Sequence, residues 1–99
     1  MIQKLISRIR ETGAPVVVGL DPNMKFIPPM LFDDAKQSLE RSENTDPFGD
    51  DELSVAAEAV WRFNKEIIDS VYDLVPAVKP QIAMYEQLGI AGIKTFWRT

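Results

Sequence analysis

Apolar side chains first recur at Ile2, Leu5, Ile6 and Ile9, the three-and-four spacing that gathers residues on one helical face, so residues 1–12 are predicted to be helical. Gly13 and Pro15 stop that helix. The period then changes. Val16-Val17-Val18-Gly19-Leu20 is a compact run rich in β-branched residues and bounded by Pro15 and Pro22. It predicts a strand buried on both faces that ends in Asp21-Pro22-Asn23. From Met24 to Asp50 no period is sustained, and prolines, a glycine and acidic residues interrupt the chain. This stretch reads as a long loop with at most a short helix near Asp33 to Arg41. Helical spacing returns at Val55, Ala56, Ala59, Val60, Phe63, Ile67, Val71 and Tyr72, behind Asp50, Asp51 and Glu52, whose charge suits a helix N-terminus. After Pro76, the segment Ala77 to Met84 is a second apolar run of strand length, interrupted by Lys79. Gly89 to Trp97 then starts a helix with Ile90, Ile93 and Trp97 on one side.

The order helix, strand, loop, helix, strand, helix is the βαβ alternation of a parallel sheet, which predicts an α/β fold. Two strands cannot by themselves make a sheet covered on both faces. More strands are therefore expected, from a partner chain or from sequence outside these residues.

The 99 residues are 45% hydrophobic and 26% charged, ordinary values for one globular domain. No apolar run approaches the roughly 20 residues of a membrane helix. The basic and apolar N-terminus lacks a small-residue cleavage site, so a cytoplasmic protein is expected. A net charge of −4 argues against nucleic acid as a partner, although a small anionic metabolite needs only a few local positive groups. Cysteine and histidine are both missing, so chemistry must rest on carboxylates and lysines.

Asp21 and Lys79 stand out because each sits at or near the C-terminal end of an apolar strand and each is followed at once by proline. Parallel α/β folds place ligand sites at the carboxyl ends of their strands, so opposite charges delivered there by successive strands can face one pocket. Burial of Lys79 between Val78 and Ile82 would call for a carboxylate or an anionic ligand, and Asp21 is a candidate partner. Gln81, two residues beyond Lys79 on an extended strand, is expected on the same side with an amide to offer. The plainer alternative makes Asp21 a turn residue and lets Lys79 snorkel to water. The acidic stretch Asp46 to Glu52 lacks the spacing of a calcium loop, and Gly89-Ile90-Ala91-Gly92 lacks the remaining residues of a phosphate loop. Trp61, Phe63 and Tyr72 are expected in the core rather than at a ligand.

Three strings carry a resemblance: Val17-Val18-Gly19-Leu20-Asp21-Pro22, Phe63-Asn64-Lys65-Glu66-Ile67-Ile68-Asp69, and Val75-Pro76-Ala77-Val78-Lys79-Pro80-Gln81-Ile82-Ala83-Met84-Tyr85-Glu86. Together they resemble the longer bacterial class of orotidine 5'-phosphate decarboxylases. The Val-Lys-Pro-Gln segment is the most specific part. The resemblance implies a (β/α)8 barrel, usually dimeric, that converts orotidine 5'-monophosphate to UMP and carbon dioxide without metal or organic cofactor. It assigns Asp21 to contact with the nucleotide and Lys79 to a lysine–aspartate network around the ribose and the reacting carbon. Gln81 is placed where it can touch that network.

The family's Asp-x-Lys-x-x-Asp motif, which supplies the proton donor and an aspartate that crosses the dimer, has no copy here. Asp34-Ala35-Lys36 begins like it, but Leu39 stands at the last position. A barrel of this kind takes roughly 250 residues. The expectation is therefore that residues 1–99 form the N-terminal fragment of a single barrel domain, with its first two strands and their helices, and are inactive alone. A related phosphosugar decarboxylase or epimerase barrel, and a non-catalytic α/β interaction module complete at this length, are the alternatives.

Overall fold

The computed structural model describes residues 1–41 and 51–99. Helix α1 (Ile2–Thr12) ends on Gly13, whose φ of 67° lies in the left-handed region and turns its N–H onto the Ile9 carbonyl. Strand β1 (Val17–Leu20) follows, then a single 3-10 turn (Met24–Phe26) capped by Asn23, whose Oδ1 accepts from the Lys25 N–H. Helices α2 (Pro29–Arg41) and α3 (Asp51–Val71) come next. Strand β2 (Ala77–Pro80), helix α4 (Ile82–Glu86) and helix α5 (Gly89–Arg98) complete the chain.

The strands β1 and β2 pair in parallel, Val17 with Ala77, Val18 with Val78, Gly19 with Lys79 and Leu20 with Pro80. The α/β alternation of the sequence is thus the architecture of the described residues. Two boundaries differ from the expectation. From Met24 to Arg41 the chain is mostly helical, because the apolar positions Leu31, Phe32 and Ala35 pack against the α3 core even though their own periodicity is short. The acidic run from Asp46 to Asp50 lies outside the described residues. The second apolar run leaves the strand at Pro80, which has no N–H to continue the ladder, and Ile82 to Glu86 turn into helix.

The core forms where α2, α3, α4 and α5 meet, around Ile27, Ala35, Ala57, Ala59, Val60, Tyr85 and Leu88. Small residues on α3 let its neighbours approach. Gly92 does the same for α5: a β-carbon there would run into the Tyr85 carbonyl oxygen. Thr95 fixes the α3–α5 contact by donating its hydroxyl to the Ala57 carbonyl, 3.0 Å away. The Tyr85 and Phe96 rings meet edge to face with centroids 5.3 Å apart.

The strands are not buried on both faces. Val18, Leu20, Val78 and Pro80 are wholly or partly covered, whereas Val17, Gly19 and Lys79 are exposed. Strand residues alternate between faces, so one layer of helices covers one side and leaves the other open. The predicted apolar sides of two helices also face outward. Ile2, Leu5 and Ile6 on α1, and Ile90, Ile93 and Trp97 on α5, are exposed, because α5 packs instead through Gly92, Thr95 and Phe96. Tyr72, expected in the core, follows the end of α3 and is exposed.

Candidate functional site

Two parallel strands deliver their C-terminal ends side by side, and the candidate site is built on the open face at that end. Lys79 is the register partner of Gly19, and paired residues of a parallel ladder share a face. Asp21 joins them from just beyond β1. A β-carbon built on Gly19 would lie 3.4 Å from Asp21 Oδ2, so the carboxylate folds back over the glycine on the face that carries Lys79. The absence of a side chain at position 19 is what opens this space.

The structure therefore brings Asp21 and Lys79 to one face, as the spacing predicted, but not into a buried ion pair. Both are exposed, and no ion pair joins them among the described residues. Lys79 is not buried and so does not need a partner, since the open face leaves its ammonium in water. Gln81 lies outside the strand, as the exposed residue that precedes α4, with φ −98° and ψ 105°. Its backbone N–H points to the Leu20 carbonyl at 3.5 Å, so its main chain, rather than its amide, meets the end of β1.

Sequence reasoning missed Asn64 and Tyr85. The Asn64 Nδ2 donates to the Tyr85 hydroxyl at 2.8 Å, and that hydroxyl donates to the Leu20 carbonyl at 3.1 Å. Tyr85 is fully buried and Asn64 is 1% exposed. Burial, which disfavours the phenolate, raises the Tyr85 pKa above its ordinary 10.0; the Asn64 hydrogen bond opposes this, and the Asp21 charge adds to it. A signal existed for Asn64. It sits four residues after Val60 on the apolar stripe of α3, where a polar residue demands a partner.

What this arrangement can do chemically is limited but specific. It presents a cation and a carboxylate, both wet, above a rigid strand end, with an amide and a phenol beneath holding the backbone. Such a pair suits a ligand carrying both an anionic group and hydroxyls.

No family model matches the chain, and no solved structure matches it significantly. Among curated proteins, the orotidine 5'-phosphate decarboxylase of Clostridium tetani is 35% identical over 99 residues, all of this chain and 28% of the relative. The enzyme of the same name from Petrotoga mobilis is 36% identical over 99 residues, again 100% of this chain and 28% of the relative. That of Rhodopirellula baltica is 39% identical over 90 residues, 91% of this chain and 26% of the relative. The chain thus spans about a quarter of the length of the curated relatives it matches. From end to end, it is similar in sequence to the N-terminal portion of the orotidine 5'-phosphate decarboxylases, and this is the family it resembles.

Proposed function

We propose that the protein to which this chain belongs decarboxylates orotidine 5'-monophosphate to UMP and carbon dioxide, and that these residues form the first two strands of its (β/α)8 barrel. The observation that carries this reading is the placement of Asp21 and Lys79 on the same open face at the strand ends, in a chain similar throughout to named decarboxylases. In a closed barrel, the open face of β1 and β2 becomes the interior, and the helices already cover the outside. Both side chains then stand at the C-terminal mouth, where barrel enzymes bind their substrates.

Loss of carbon dioxide from the pyrimidine ring leaves an electron pair on carbon. The reaction is accelerated by fixed charges that favour that developing anion over the ground state. Lys79 supplies a cation of this kind, and its position on a hydrogen-bonded strand limits the reorganisation needed. Asp21 accepts hydrogen bonds from the nucleotide. Gln81 plays a lesser part beside them. The proton that replaces carbon dioxide comes from a lysine that these residues do not include, since no Asp-x-Lys-x-x-Asp sequence occurs in them. The 99 residues alone are accordingly inactive, and the whole protein is a cytoplasmic homodimer that needs no metal or organic cofactor.

The test is turnover of orotidine 5'-monophosphate by the full-length protein, followed by the absorbance change as orotate becomes uracil. Activity that falls at least 100-fold in Lys79→Ala supports the reading, since lost electrostatic contacts of this kind cost about that much. Full-length protein that leaves orotidine 5'-monophosphate intact but acts on a keto-sugar phosphate would replace it with the related phosphosugar chemistry.

A further inference from the structure

The exposed Asp21 is bracketed by two buried neighbours. Leu20 is 1% exposed, and Pro22 is among the fully buried side chains. The Leu20 carbonyl belongs to the peptide group that carries the Asp21 nitrogen, and that group is planar, so fixing the carbonyl fixes the plane from which Asp21 departs. Two donors converge on it, the Tyr85 hydroxyl at 3.1 Å and the Gln81 N–H at 3.5 Å. On the other side, Pro22 has a ring-locked φ and a buried ring. The following proline restricts the ψ of Asp21, which leaves its φ and its side-chain torsions to choose its position over Gly19.

The phenol is itself held. Asn64 Nδ2 donates to it at 2.8 Å and also reaches the Thr99 hydroxyl at 3.4 Å, so the nitrogen end of the amide has two acceptors. The Phe96 edge fixes the ring plane. A chain of contacts therefore runs from α3 through α4 to the last carbonyl of β1.

We infer that Tyr85, oriented by Asn64, is a positioning residue that sets Asp21 through the Leu20 carbonyl. The role rests on the decarboxylase reading, because it supposes that Asp21 meets the substrate. Neither Tyr85 nor Asn64 touches the open face. Both act from beneath the strand, on the geometry rather than the chemistry of the site. One hydroxyl is enough to matter, because a small misplacement of a substrate-positioning group, caused by a change away from the chemistry, costs a large factor in rate.

A double-mutant cycle in the full-length protein tests this, with kcat/KM for orotidine 5'-monophosphate as the readout. Tyr85→Phe keeps the ring and removes only the hydroxyl. It is expected to lower kcat/KM about tenfold with Asp21 intact, the loss expected of one such hydrogen bond, and to cause no further loss in Asp21→Asn. Equal losses in both backgrounds, or no loss in either, overturn the assignment and leave Tyr85 a core residue. Should Tyr85→Phe not fold, Asn64→Ser removes the amide that holds the phenol. Its loss must likewise disappear in Asp21→Asn, and a loss that persists there overturns the assignment. Inactive wild-type protein overturns the decarboxylase reading and this role with it, whereas active wild type with independent losses overturns this role alone.

Discussion

The carboxylate of Asp21 lies over Gly19, with Oδ2 3.4 Å from where a β-carbon at that glycine would be. Gly19 is in turn the register partner of Lys79, so one residue without a side chain holds open space on the face that the two charges share. Its φ is not in the left-handed region, and the glycine is there for space rather than for an unusual backbone.

That space can be closed by design. Gly19→Ala adds only a contact of ordinary van der Waals length, and full-length Gly19→Ala is expected to keep kcat/KM within about threefold of wild type, a change of under 1 kcal/mol. Gly19→Val adds two methyl groups beside Asp21 and is expected to lower kcat/KM at least about tenfold. The thermal midpoint of Gly19→Val should not fall, since valine favours a strand more than glycine does. Wild-type kinetics for Gly19→Val would show that the Asp21 conformation over Gly19 is unimportant.

Gly92 carries the opposite kind of constraint, on stability alone. A β-carbon there meets the Tyr85 carbonyl oxygen and comes within 2.7 Å of the Leu88 Cβ, so α5 must move away from α4. Gly92→Ala is expected to destabilise the protein by about 1–3 kcal/mol despite the better helix propensity of alanine. Urea unfolding with an unchanged slope checks this, and a stability equal to wild type would place α5 differently.

Burial raises the Tyr85 pKa in the folded protein, and the sign of its effect on stability follows. The unfolded chain releases the phenolic proton first, near pH 10, so this contribution is complete below that pH and is lost as pH rises through the higher folded value. Wild-type stability should therefore fall with pH above about 10 more steeply than that of Tyr85→Phe. Chemical unfolding at a series of alkaline pH values measures the difference between the two slopes. Parallel curves would mean that the phenol is not buried in the protein.

On the outer side of α3, Arg98 lies 3.5 Å from the centroid of the Trp61 ring and 2.8 Å from Glu58 Oε2. Arg98→Ala is expected to cost about 1 kcal/mol, and Arg98→Lys less, because lysine keeps the charge but not the flat stacking surface. The ion-pair share should vanish in 1 M salt, while the stacking share remains. An Arg98→Ala loss that disappears entirely in salt would assign the whole contact to Glu58.

Much of this was legible in the chain itself. The three-and-four spacing of α1, α3 and α5, the compact β-branched run of β1 and the placement of Asp21 and Lys79 at strand ends are local patterns, and local patterns are set by backbone geometry that each residue carries with it. The similarity to the decarboxylases was visible for the same reason, in short strings around those strand ends. Tertiary contacts decided the rest. They turned the stretch after Met24 into α2 by packing Leu31, Phe32 and Ala35 on α3, and they rotated α5 so that Gly92 and Thr95, not Ile90 and Ile93, face the core. They left one face of the sheet open, so Lys79 is wet where an apolar run implied burial. Above all, they joined Asn64, Tyr85 and the Leu20 carbonyl, residues separated by 21 and 65 positions, into one support for Asp21. No spacing rule encodes such a contact, because a hydrogen bond between distant residues exists only once the chain has folded and brought donor and acceptor within reach.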